Sequence, residues 1–378
     1  MHRTFLAFVA LLGFASAAVA ADIPIPSPPD IDATAYILVD FHTGQVLAAR
    51  NAVQRLPMAS LTKLMTAYIV FEELADGKLK LDEPVTISEH AWRQGGSRTF
   101  VQVGSKVPVR SLILGMIVQS GNDATVALAE RIAGSESTFV QMMNETAQRL
   151  GLRDTHYVDA TGLPDPQHYT TARDLSLLTV ALIRDFPQYY HWFSVKEFEY
   201  NHIKQQNRNG LLVTDPGVDG LKTGHTDAAG YCLVASAMRD GMRLVSVVLG
   251  GQTFKGRESS SAALLNYGFT FYDTRLVARA GASLATATVW KAQNPSVGVG
   301  ILHDLYVTVP RDGVAGLRTS VQLPPRLLAP LYPARAVGTL TVTDGARTVT
   351  SVPLHPLQPD PAGGWWRDLV DTVRLWFS

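Results

Sequence analysis

Ser60-Leu61-Thr62-Lys63 sets a hydroxyl and an amine three residues apart. A serine hydroxyl is a weak nucleophile until a base takes its proton. Positions three apart share a helix face, so Lys63 could reach Ser60. Pro57 is a start signal, Leu61, Leu64, Met65, Tyr68 and Ile69 recur at helical spacing, and Gly77 is a stop. The pattern predicts a helix with Ser60 in its first turn, where free N–H groups favour developing negative charge. Lys63 then sits one turn deeper among apolar neighbours. An amine desolvated there loses proton affinity, as a base working near neutral pH requires. Alone the tetrapeptide is weak, because serine is an ordinary helix cap. Two stretches downstream give it weight.

Ser120-Gly121-Asn122 falls between two apolar segments, 109–119 and 123–133, both read as buried helices. Gly121 permits a sharp bend that aims both flanking side chains into one cleft. Lys222-Thr223-Gly224-His225 precedes two strand-like segments, 228–237 and 243–250, with Arg239-Asp240-Gly241-Met242 as their turn. Lys222-Thr223-Gly224 therefore belongs on or beside a sheet, near an edge. Taken singly, these stretches read as caps and turns; their joint occurrence points to a site.

The other elements must hold these three together. A hairpin is expected over 35–49, with Gly44 in its turn. Helices are expected over 139–150, after Thr171 with Asp174 at its N3 position, and over 259–271. Beyond about 275 the texture changes to short strand-like segments and turns, which predicts a separate small β domain over 276–353. A Pro-rich linker, 354–364, leads to a tail, 365–378. In the tail, Trp365, Trp366, Leu369, Val370, Val373, Trp376 and Phe377 fall on one helical arc, opposite Arg367, Asp368, Asp371, Thr372 and Arg374. Its span of roughly 21 Å is short of the ~30 Å hydrocarbon core, so it would lie in a membrane interface. The alternative is a helix docked on the protein's own surface.

At the other end, Thr4 to Phe14 is apolar and Ala18-Val19-Ala20 fits a cleavage site, so 1–20 reads as a signal peptide and 21–34 as an extended lead-in. The chain of 378 residues carries 33 basic and 33 acidic side chains, which gives no reason to expect nucleic acid as partner. Cys232 is the only cysteine and reads as a packed thiol. His156, His168, His191, His202 and Glu197 lack metal-ligand spacing and read as structural or surface groups. Neither a metal nor another cofactor is expected.

S-x-x-K, S-x-N and K-T-G in this order resemble the serine penicillin-binding proteins and β-lactamases. Serine-glycine-asparagine, histidine after K-T-G, a trailing β domain and a terminal amphipathic helix are similar to the low-molecular-weight D-alanyl-D-alanine carboxypeptidases. Thr161-Gly162-Leu163, His168 through Asp174 and Val218-Asp219-Gly220-Leu221 also match that pattern. The resemblance covers about residue 30 to 378. It implies an α+β fold of the penicillin-binding/β-lactamase-like transpeptidase type over 35–275, an antiparallel sheet flanked by helices with a helical subdomain. It further implies that Ser60 attacks the bond between two terminal D-alanines of a peptidoglycan stem peptide and forms an acyl-enzyme. By the same resemblance, Lys63 is the base and Ser120 relays a proton to the leaving amine. Asn122 would bind the substrate's peptide, Lys222 would stay cationic, and Thr223 would bind the terminal carboxylate. Gly224 would let the strand approach the substrate, and the N–H groups of Ser60 and His225 would form the oxyanion hole. Arg257 is the candidate for a carboxylate-assisting base within 252–257. β-Lactams would be covalent inhibitors, and the protein would sit on the periplasmic side of the cytoplasmic membrane, peripherally attached.

Class A β-lactamases use a glutamate after the middle motif to activate water. Between Glu145 and Glu197 this chain has none; Asp154, Asp159 and Asp165 stand there instead. That argues against rapid antibiotic hydrolysis. An endopeptidase of the same family, or a scaffold that binds β-lactams and hydrolyses them weakly, remain the alternatives.

Overall fold

The computed structural model describes residues 25–376. The expected signal peptide, the first lead-in residues and Phe377 lie outside the described residues. Five strands form one antiparallel sheet: β1 (Ala35–Asp40), β2 (Val46–Arg50), β3 (Val218–Thr226), β4 (Gly230–Arg239) and β5 (Met242–Gly251), in spatial order β2-β1-β5-β4-β3. Strand β1 is apolar without alternation because both sheet faces are covered. Its Ile37 and Val39 pack towards the helices, while Tyr36 and Leu38 pack with Leu264 and Leu265 on the opposite side. The β4–β5 turn has Asp240 and Gly241 at φ +50° and +82°, as a two-residue hairpin requires. Strand β3 is an edge strand, as expected for Lys222-Thr223-Gly224.

The longer helices are α1 (Lys63–Ala75), α2 (Val109–Val118), α3 (Asn122–Ala133), α4 (Glu136–Arg149), α5 (Ala172–Asp185) and α6 (Phe254–Phe271). Helix α1 is apolar on nearly all sides and buried at its centre, from Leu64 to Phe71. Thr171 caps α5 by accepting from the Asp174 N–H. Two boundaries differ from expectation. Ser60 does not lie in the first α-helical turn: Ala59–Thr62 is a 3-10 turn, and the α-helix starts at Lys63. Ala59 at φ +47° breaks the helical path there. Helix α6 starts five residues before the expected 259, capped by Thr253, whose hydroxyl accepts from the Gly256 N–H. Gly256 and the serines after it dilute the apolar periodicity.

The second unit is all β. Its strands are β6 (Tyr272–Ala278), β7 (Ala285–Trp290), β8 (Ser296–Gly300), β9 (Leu305–Pro310), β10 (Leu317–Gln322), β11 (Leu327–Leu328), β12 (Gly338–Asp344) and β13 (Arg347–Pro356). Six form a sheet ordered β10-β12-β13-β8-β7-β11, and β6 pairs with β9. The 354–364 stretch is not a free linker. Asp360 is buried and accepts from the Asn294 N–H at 3.1 Å, and the Gly363 N–H donates to the Lys291 carbonyl. The tail forms helix α7 (Trp365–Trp376). Its polar side docks on the β domain: the Lys291 N–H donates to Asp371 at 2.7 Å, and Lys291 Nζ lies 2.9 Å from Asp368. Trp365, Trp366, Leu369, Val373 and Trp376 face outward. Among the described residues no helix is long and apolar enough to cross a membrane.

The two units meet at a buried polar joint. The fully buried Asp40 carboxylate accepts from Thr43 N–H (2.8 Å), Thr43 Oγ1 (2.9 Å) and Thr274 Oγ1 (2.7 Å). Thr308 Oγ1 lies 2.8 Å from Thr43 Oγ1, and His42 stacks on Tyr306 with ring centroids 4.0 Å apart. Asp40→Ala leaves those donors without their acceptor. Urea unfolding is expected to show a loss of about 1–3 kcal/mol; unchanged stability would mean the joint carries no energy.

Candidate active site

The 3-10 turn, the Ser120 bend and edge strand β3 converge on one cleft of ≈400 Å³. Ser60, Ser120, Arg208, Thr223, His225 and Arg257 line it. Strand β3 comes very close to the Ser60 turn. A Cβ on Gly224 would lie 3.0 Å from the Met58 carbonyl and 3.2 Å from Ala59 Cβ. Glycine is thus needed for the strand to approach the turn itself, a closer reason than the approach to substrate expected from the sequence.

Lys63 is buried at the floor of the turn, with Nζ 3.0 Å from Ser60 Oγ, 2.7 Å from Asn122 Oδ1 and 2.7 Å from the Thr161 carbonyl. The Asn122 amide orientation is fixed, because Nδ2 donates to the Gly95 carbonyl at 2.7 Å. A neutral amine has two protons and one lone pair. Two obligate acceptors take the protons, and the lone pair is left for the Ser60 hydroxyl. Burial pulls the Lys63 pKa down to about 7, with Asp159 and Asp123 opposing and Arg208 assisting. Through Oδ1 and one N–H the Asn122 amide links Lys63 to the Gly95 carbonyl, a task towards Lys63 that the sequence did not indicate; its second N–H is not used by these bonds.

Asp123 anchors the wall opposite β3. Its carboxylate accepts from the backbone N–H groups of Thr99, Phe100 and Val101, at 2.8, 2.8 and 3.2 Å. This ties the 95–101 loop to the start of α3 beside Ser120. Ser120 sits at φ +65°, and its buried hydroxyl has no partner. A buried, unpartnered hydroxyl costs about 1–3 kcal/mol, and a left-handed serine a similar amount.

The cleft is rich in cations and poor in anions. Lys222 is buried and donates to the Thr223 carbonyl at 2.9 Å. Burial, then repulsion from Lys63, Arg208 and Arg257, pulls its pKa well below the usual lysine range. Burial and repulsion thus oppose the cationic form expected of Lys222. Arg257 donates to the carbonyls of Gly224 (3.2 Å) and Arg208 (3.4 Å) and stacks on Phe254, 4.5 Å from the ring centroid. Burial also lowers the Arg208 pKa. Arg208 went unnoticed in the sequence, where its polar loop carries no periodicity and no motif. Among the described residues no carboxylate lines the cleft. His225 is exposed at its mouth and stacks on Tyr231 at 4.1 Å. No cluster able to hold a metal occurs among the described residues.

The D-alanyl-D-alanine carboxypeptidase family (peptidase S11) matches residues 23–253, and the C-terminal domain of penicillin-binding protein 5 matches 272–359. D-alanyl-D-alanine carboxypeptidase DacA of Escherichia coli (strain K12) is 43% identical over 389 residues, covering 100% of this chain and 96% of the relative. The crystal structure of penicillin-binding protein 5 from Haemophilus influenzae superposes with a TM-score of 0.84 at 40% identity, covering 89% of this chain and 99% of that one. Penicillin-binding protein D2 from Listeria monocytogenes, solved in its ampicillin-bound form, superposes at 0.60 with 32% identity, over 65% of this chain and 100% of that one. The fold is thus penicillin-binding/β-lactamase-like with a C-terminal all-β domain, and the chain belongs to the D-alanyl-D-alanine carboxypeptidases of the penicillin-binding type.

Proposed function

We propose that this carboxypeptidase removes the terminal D-alanine of peptidoglycan stem peptides through an acyl-enzyme on Ser60. The observation that carries the reading is the buried Lys63 amine, 3.0 Å from Ser60 Oγ, with both its protons committed elsewhere. Its lone pair accepts the Ser60 proton as Oγ attacks the carbonyl carbon. The resulting ammonium keeps the Asn122 and Thr161 oxygens as acceptors. The N–H groups of Ser60 and His225 are assigned to the oxyanion, a contribution of about 2.7–4 kcal/mol per donor in comparable sites. Ser120, unpartnered beside Ser60, is assigned to carry a proton to the departing amine of D-alanine. The proton that Ser120 passes on comes from Lys63, which is neutral again once D-alanine has left; water then attacks the ester, Lys63 accepts its proton, and that proton returns to Ser60 Oγ as the acid departs.

Substrate preference follows from charge. A terminal carboxylate complements Arg257, Arg208 and Thr223, which line a cleft without a carboxylate among the described residues, and Lys222 behind them. A carboxylate-bearing β-lactam fits the same groups. Asp159, the nearest acid in the loop after the middle motif, spends one oxygen on backbone N–H groups, so it is not placed as a hydrolytic base. This favours slow release of a penicilloyl group over antibiotic hydrolysis. We further propose that the exposed apolar face of α7 rests in the outer surface of the cytoplasmic membrane after export, with the polar face fixed on the β domain. Outward tryptophans suit that depth.

Mass spectrometry after incubation with pentapeptide and with penicillin tests the chemistry. D-alanine release and a stable penicilloyl adduct are expected for the intact chain, and neither for Ser60→Ala; release by Ser60→Ala would refute the mechanism. The penicillin acylation rate should rise with pH up to about 7 and level off above it, since the ammonium form of Lys63 has no lone pair. A rate independent of pH from 5 to 8, about the range over which such a group would titrate, would exclude Lys63 as base. Replacing Trp365, Trp366 and Trp376 together by Ala should abolish sedimentation with lipid vesicles while leaving peptide hydrolysis intact.

A further inference from the structure

A half-buried Asp159 and a buried His168 lie behind the cleft, and the chemistry above does not use them. Asp159 Oδ1 accepts from Thr161 N–H (2.7 Å), Thr161 Oγ1 (2.8 Å) and Gly162 N–H (2.6 Å). These bonds curl the loop so that the Thr161 carbonyl meets Lys63 Nζ. His168 is tied to the same loop through Nδ1, which accepts from the Val158 N–H at 3.2 Å and lies 3.4 Å from Asp159 Oδ2.

The other end of His168 reaches the nucleophile turn. Its Nε2 is 2.7 Å from Thr62 Oγ1. Thr62 spends its single hydroxyl proton on the Ala59 carbonyl at 2.8 Å, so its oxygen must accept from His168, and Nε2 carries a proton. Ala59 is the left-handed residue just before Ser60. Gly162 presses on the same carbonyl: a Cβ there would fall 1.8 Å from the Ala59 oxygen, and φ is +91°. One loop therefore touches both the turn that carries Ser60 and the acceptor that orients Lys63.

We propose that Asp159 and His168 are positioning residues for acylation: the loop they lock fixes the Ala59–Thr62 turn and the Thr161 carbonyl, and so aims the Lys63 lone pair at Ser60. The inference rests on the reading of Ser60 and Lys63 given above. Neither residue touches the substrate, so the effect should fall on the rate of the chemical step and leave KM nearly unchanged.

The test uses the full chain and compares Thr62→Val, His168→Ala and His168→Gln. Acylation by a fluorescent penicillin and kcat for pentapeptide should fall together in Thr62→Val and His168→Ala, by roughly 10- to 100-fold. His168→Gln retains an N–H able to reach Thr62 and should recover most of the loss, which a merely space-filling role would not allow. If His168→Ala fails to fold, Thr62→Val, which keeps the shape of the side chain, carries the test. A folded Thr62→Val with full acylation rate overturns the proposal, as does an equal loss in the Gln and Ala variants. A Ser60→Ala control separates the two levels: labelling of that variant by penicillin would mean that the underlying site reading has failed.

Discussion

The structure depends on keeping one amine out of water. Lys63 begins a helix whose core is wholly buried, and desolvation is the largest influence on its proton affinity. An amine so placed is costly as an ammonium and useful as a base. Its two carbonyl acceptors come from different parts of the chain, Asn122 at the start of α3 and Thr161 in the loop before α5. The helical subdomain, the loop and the sheet edge must all close on α1 before the lone pair has a direction.

That closure is maintained against local resistance. Ala59 and Ser120 both hold left-handed backbone conformations, at φ +47° and +65°. Each costs on the order of 1–3 kcal/mol and persists only where the surroundings over-determine it. The surroundings here are tight. Gly162 abuts the Ala59 carbonyl, Gly224 brings β3 against the same turn, and Asp123 pins the 95–101 loop beside Ser120. The cleft adds a second tension, since Arg208 and Arg257 line it while, among the described residues, no carboxylate does.

Much of this was legible in the sequence, and the reason is local. S-x-x-K and S-G-N sit at element boundaries, where cap and turn signals are strong, and K-T-G lies within the edge strand β3 just before a hairpin. The two-residue Asp240-Gly241 turn and the Thr171 cap were likewise written in short-range chemistry. What was hidden depends on tertiary placement. Arg208 lies in an aperiodic loop, and only the fold brings it to the cleft. The carbonyl of Thr161 has no side-chain signature, and His168, though within a stretch that matched the family pattern, read only as a structural or surface group. The 3-10 turn at Ser60 could not be foreseen, because nothing in Ala59 itself favours a positive φ. The connector after residue 354 read as free from its prolines, yet Asp360 and Gly363 fasten it to the β domain.

The most direct measurement is the titration of the Lys63 side chain itself. Selective isotope labelling of lysine, with the resonance assigned by its loss in Lys63→Arg, would follow the amine by NMR. The account predicts a midpoint near 7 in the free enzyme. A midpoint near the ordinary lysine value, about 10.4, would mean that the amine stays protonated at working pH and cannot take the Ser60 proton.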